Sequence, residues 1–181
     1  MATLIEVLQH TLAQKDPRLS PETQRIILKE DLQAYVLDFL YNHPVYRRLN
    51  FYGGTCLHVV YDLNRLSEDI DLDNGAGVEL SHLAKDLVEM FKNTLGYPDT
   101  LAKPQQGGQG ILRITLKFPI LNALGLSAYG NEALHLKVEV SHHPQTAVIQ
   151  NTPVFYHGRS FVPAHFSMET MMAGKMLACL E

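Results

Sequence analysis

Apolar residues at Leu4, Ile5, Leu8 and Leu12 recur at helical spacing in "TLIEVLQHTLA", and "QKDPRLSP" breaks the run, so a short first helix is expected. Ser20 followed by Pro21 and Glu22 has the form of an N-cap with proline at the first helical position. Apolar positions then continue through Ile26, Ile27, Leu32, Tyr35, Val36, Phe39 and Leu40, which predicts a long second helix ending at His43-Pro44. "RRLNFYGG" reads as a short strand entering a glycine turn, and Cys56, Leu57, Val59 and Val60 form the apolar side of a short helix after it.

The pattern then changes period. "SEDIDLD" alternates strictly, so a strand would turn Ser67, Asp69, Asp71 and Asp73 to one side and Ile70 and Leu72 to the other. "ELSHLAKDLVEMFKNTLG" returns to helical spacing at Leu80, Leu83, Leu87, Met90, Phe91 and Leu95 and stops at Gly96. Residues 97–110 read as a polar, glycine-rich loop. "ILRITLKF" and "LHLKVEVS" alternate again, with Arg113, Thr115 and Lys117 outward on the first, and His135, Lys137, Glu139 and Ser141 outward on the second. "FSMETMMAGKMLACLE" begins at a Ser167 cap and reads as an amphipathic helix with no stop signal before Glu181. Its Met168, Met171, Met172 and Met176 suit core or a partner-facing surface.

Helices flanking at least three half-buried strands give an α+β class with a mixed or antiparallel sheet. The expected organisation is an N-terminal helical segment over 1–44 packed on the core, a core over 45–160, and the start of a C-terminal helical region over 161–181 that looks truncated. At 181 residues, with 46% apolar and 19% charged residues, the chain has the composition of a folded domain. It contains no apolar run of membrane-spanning length and does not open on a signal-peptide pattern, so a cytoplasmic location is expected. Cys56 and Cys179 belong to no ligand cluster and read as buried small hydrophobes. A net charge of −4 leaves any grip on nucleic acid to a local basic surface or a bound metal, and disfavours long duplex DNA.

Three carboxylates at two-residue spacing repel one another unless a cation or open water relieves them. A calcium loop fails on its spacing, because Asn74 stands where the turn glycine belongs and Leu80 where the bidentate glutamate belongs. Two-metal phosphoryl chemistry fits better, since it needs an adjacent carboxylate pair, a third carboxylate from a neighbouring strand, and backbone donors for phosphates. Asp69 and Asp71 supply the pair, Glu139 a third, and Gly53, Gly54 and Thr55 a helix N-terminus. His142-His143 and His58 lack further ligand spacing and are expected to face water. Asp73 is expected to be a solvated strand-end residue, and Lys137 either an exposed lysine or a phosphate contact.

"GGTCLHVVYDLNRLSEDIDLD", supported by "LKVEVS" and "MMAGKMLACLE", resembles the AbiEii/AbiGii toxin-like branch of the DNA polymerase β-type nucleotidyltransferases. The resemblance implies a polymerase β-type core and a metal-dependent enzyme moving a nucleoside monophosphate from an NTP to a hydroxyl. It further implies the toxin of a toxin–antitoxin or phage-defence system, with tRNA or another RNA as acceptor and a cognate antitoxin as partner. Carried over by position, Asp69 and Asp71 would hold Mg²⁺ in a two-metal site, and Glu139 would be the third carboxylate. Gly53, Gly54, Thr55, Arg65, Ser67, Lys137 and Lys175 would bind nucleotide and phosphate. Glutamate at position 139 departs from the family's aspartate by one methylene, and the family's usual Arg-Asp-x-x-Asp segment is not in this sequence. The alternatives are a nucleotide-binding or interaction module without turnover, and a nucleotidyltransferase acting on a small molecule such as an antibiotic.

Overall fold

The computed structural model describes residues 2–65, 67–143 and 147–179. Thr3 caps α1 (Leu4–Ala13) in a capping box with Glu6 that periodicity did not signal, whereas the Ser20 hydroxyl caps α2 (Pro21–Asn42) at Thr23 N as the sequence predicts. β1 (Asn50–Tyr52) runs directly into α3 (Gly53–Tyr61), and β2 (Asp69–Asp73) follows. α4 (Leu83–Leu95) begins one turn later than its apolar pattern, because Leu80 packs from a turn ahead of the helix. It ends, as expected, at a left-handed Gly96.

The segment expected to be a loop contains β3 (Leu101–Gln106), paired antiparallel with β4 (Leu112–Phe118). β3 is an edge strand with almost no buried face, so it lacks the alternation that marks β4 and β5 (Leu134–Ser141). Pro104 is tolerated on an edge strand, because among the described residues no strand pairs with the outer edge of β3. Four three-residue strands follow: β6 (Ile149–Asn151), β7 (Val154–Tyr156), β8 (Arg159–Phe161) and β9 (Ala164–Phe166). α5 (Met168–Ala178) starts at the predicted Ser167 cap, and the end of the chain at 180–181 lies outside the described residues.

The main sheet has the order β3-β4-β5-β2-β1-β9-β6 and is mixed, with β2 parallel to β5, β1 parallel to β9, and the other pairs antiparallel. β7 and β8 form a separate hairpin. Leu112, Ile114, Leu116 and Phe118 of β4, Leu134, Leu136, Val138 and Val140 of β5, and Ile70 and Leu72 of β2 share one core with α1, α2 and α4. The alternation of β2, β4 and β5 therefore leaves their polar side chains on the opposite face.

Two expectations about cysteine and methionine separate here. Cys56 is buried, with its thiol pushed up to about 12 by burial, whereas Cys179 is exposed at the end of α5. On the same helix Met171 is buried, while Met172 and Met176 are exposed.

Candidate active site

Two registers bring the carboxylates together. β2 lies parallel to β5 with Asp69 opposite Lys137, Asp71 opposite Glu139 and Asp73 opposite Ser141. β1 lies antiparallel on the other side, with Tyr52 opposite Asp71. Since partners across a ladder point to the same face, Tyr52, Asp71 and Glu139 form one row, which β4 extends with Arg113.

α3 begins at the end of that row, and no side chain caps it. Gly53 has φ +78°, and a Cβ there would stand 2.2 Å from Asp71 Oδ2, so the position accepts only glycine for both reasons. A Cβ on Gly54 would meet Ser67 Oγ at 2.7 Å and Arg65 Nη2 at 2.9 Å. The turn between β1 and α3 is thus packed against Asp71 on one side and against Arg65 and Ser67 on the other. Its leading N–H groups have no intrahelical partner.

Burial is the main cause that raises the Asp71 carboxyl to about 6, with Asp69 and Glu139 adding to it, while Lys175 and Arg65 act in the opposite direction. Two of the residues expected from sequence to bind phosphate, Lys175 and Arg65, therefore lie close enough to Asp71 to act on its charge. Lys137 Nζ lies 3.9 Å from Asp69 Oδ2.

The Thr55 side chain turns inward. It is fully buried, and its hydroxyl donates to Asp69 O and lies 2.9 Å from Ser67 Oγ. Only its backbone N–H is left for a phosphate. Gln33 of α2, also buried, donates through Nε2 to Ser67 O at 2.9 Å, so Thr55 and Gln33 together fix the approach to β2. Sequence periodicity gave no sign of Gln33, because a polar residue inside a helix signals burial only when its partner is known.

Glu139 stands beside Asp71, but its carboxylate is taken by Arg113, with Nε and Nη2 both 2.6 Å from Oε2. Arg113 is visible in the sequence as an outward residue of an alternating strand, yet its role depends on the β4–β5 register. Among the described residues no three His, Cys, Asp or Glu side chains already surround a single metal position. Asp69 and Asp71 nonetheless offer adjacent hard oxygen donors whose mutual repulsion a divalent cation would relieve, so they fit Mg²⁺.

Asp73, expected to be solvated, is buried. It accepts from Asn50 Nδ2 and Gly75 N at 3.0 Å and from His143 N at 2.8 Å, and His143 Nδ1 lies 3.2 Å away. Burial raises its carboxyl, but these donors outweigh burial and hold it below the ordinary value. His142 and His143 are exposed, as expected, although the His143 ring also meets Tyr52 edge-on with centroids 4.8 Å apart. His58, expected to face water, is instead half-buried, with Nδ1 2.9 Å from Leu63 O.

The sequence profile of the nucleotidyl transferase AbiEii toxins of type IV toxin–antitoxin systems matches residues 6–181. The chain belongs to the AbiEii family. No curated protein matches it. Among solved structures, an H. pylori protein provisionally assigned as a nucleotidyltransferase superposes with a TM-score of 0.52 at 18% identity, over 87% of this chain and 59% of that one. At that identity the likeness concerns the fold, and this AbiEii-family chain spans 59% of that neighbour's length. The neighbour agrees with the mixed α+β architecture.

Proposed function

We propose that this chain carries the catalytic core of a metal-dependent nucleotidyltransferase that moves a nucleoside monophosphate from an NTP to a hydroxyl. The observation that supports it is the row formed by Asp71 and Glu139, with Asp69 two residues before Asp71 and the first turn of α3 packed against Asp71. In the reaction the acceptor hydroxyl oxygen bonds to the α-phosphorus as the bond to the β-phosphate bridging oxygen breaks. Pyrophosphate leaves with the electron pair, and the hydroxyl proton passes to a site carboxylate.

Mg²⁺ held by Asp69 and Asp71 would neutralise the triphosphate and lower the pKa of the attacking hydroxyl. Gly53 and Gly54 let backbone N–H groups approach phosphate oxygens closely. Lys175, Arg65 and Lys137 supply positive charge where the leaving group gains negative charge. Ser67 and Thr55 hold the loop that aims these groups. Glu139, once released from Arg113, is the third carboxylate.

Family membership supports a toxin role for the whole protein, with RNA, tRNA included, as acceptor and a cognate antitoxin as partner. The pairing of Glu139 with Arg113 favours a second reading, in which NTP binds without transfer. One assay separates the two: Mg²⁺, each α-labelled NTP and total RNA, with wild type compared against Asp69→Ala/Asp71→Ala and against wild type in EDTA. Label entering RNA only with wild type and Mg²⁺ supports transfer. NTP binding with no label in any acceptor overturns it.

A further inference from the structure

The outer face of β3, β4 and β5 is electrically unlike the rest of the chain. These strands carry Lys103, Arg113, Lys117 and Lys137 against one acidic residue, Glu139, in a protein whose net charge is −4. Register places them in rows that cross the sheet. Lys103 lies opposite Thr115, Thr115 opposite Lys137, and Lys137 opposite Asp69, so one row runs from the sheet edge to the carboxylate pair. Lys117 and His135 sit side by side in a parallel row. Burial and the charges of Lys117, Lys29 and Lys137 all lower the His135 ring below its ordinary value, which shows how the positive field accumulates there. Among the described residues neither Lys103 nor Lys117 has an acidic side chain within ion-pair distance.

We propose that this face binds the sugar–phosphate backbone of single-stranded RNA and leads its terminal hydroxyl toward Asp69 and Asp71. The proposal rests on the nucleotidyl-transfer reading for its direction and on charge complementarity for its partner. Three strands span about 10 Å, the width of one backbone rather than of a duplex. No Phe, Tyr or Trp side chain points outward from these three strands, where His135 is the one aromatic ring, so the contacts are mainly to phosphates and carry little base preference.

The test is fluorescence anisotropy of a short labelled single-stranded RNA over a salt series, comparing wild type with Lys103→Glu/Lys117→Glu, two positions outside the catalytic cluster. Matching thermal melts and unchanged NTP affinity show that the variant is folded and its nucleotide site intact. The expected result is about a tenfold or greater loss of RNA affinity, with the slope of log K against log salt shallower by about 1.4. Unchanged affinity and slope overturn the proposal, as does equal loss of binding to polyglutamate, which would mark the face as a seat for an acidic polypeptide. RNA binding by wild type that depends on these lysines, without label transfer, overturns the nucleotidyl-transfer reading and leaves RNA binding by this face supported.

Discussion

Gly53 and Asp71 are packed so closely that a single methyl on the glycine would stand 2.2 Å from the Asp71 carboxylate oxygen. The contact ties the turn that opens α3 to the strand that carries the carboxylates. Gly53→Ala therefore strains the backbone at φ +78° and also pushes Asp71 from its place. The left-handed conformation costs about 1–2 kcal/mol, and displacing a reacting group by about 1 Å lowers the rate about a hundredfold. Label transfer measured beside a thermal melt should show a loss of activity far larger than the loss of folded protein.

Thr55 is predicted to hold the loop rather than touch substrate through its side chain. Thr55→Val leaves the Asp69 carbonyl without its donor and the Ser67 hydroxyl without its partner, at about 1–3 kcal/mol, or roughly 2–12 °C in Tm for a chain of this size. Thr55→Ser keeps the hydroxyl and should stay near wild type. A Thr55→Val protein with unaltered Tm but weakened NTP binding would show that the hydroxyl contacts phosphate instead.

Asp71 gives a pH-dependent prediction. With its carboxyl raised to about 6 by burial, Asp69 and Glu139, the folded protein binds this proton more tightly than the unfolded chain. Its contribution to stability therefore declines as pH rises from about 4 through 6, and the deficit persists above that, up to about 3 kcal/mol. Asp71→Asn cannot ionise, so it should melt higher than wild type at pH 8, with the gain vanishing near pH 4. Transfer should be lost at every pH.

Asp73 shares the acidic strand with that pair but is predicted to act on stability. Asp73→Ala strips the partners from Asn50, Gly75 and His143 in a buried place, at about 3 kcal/mol, and should lower Tm by roughly 6–12 °C. The protein still folded below that transition should bind NTP with wild-type affinity, which isothermal calorimetry can read.

The long elements were legible because each carries its own period. The Ser20 cap and Pro21 announce α2, and the strict alternation of "LRITLKF" and "LHLKVEVS" announces β4 and β5. β3 was missed because an edge strand with both faces in water has no apolar alternation to read. β6 to β9 carry three residues each, too few for a period to emerge.

The same division holds within the site. The sequence alone determined that Asp69 and Asp71 share a face, because side chains alternate along any strand, and that two glycines lie where a strand turns into a helix. It could not determine which strands lie beside β2. Only tertiary register placed Glu139 next to Asp71, turned it toward Arg113, buried Asp73 under His143, and sent the Thr55 hydroxyl to Asp69 rather than outward. Those relationships join residues up to 70 positions apart, and local periodicity carries no record of a partner that approaches only when the sheet assembles.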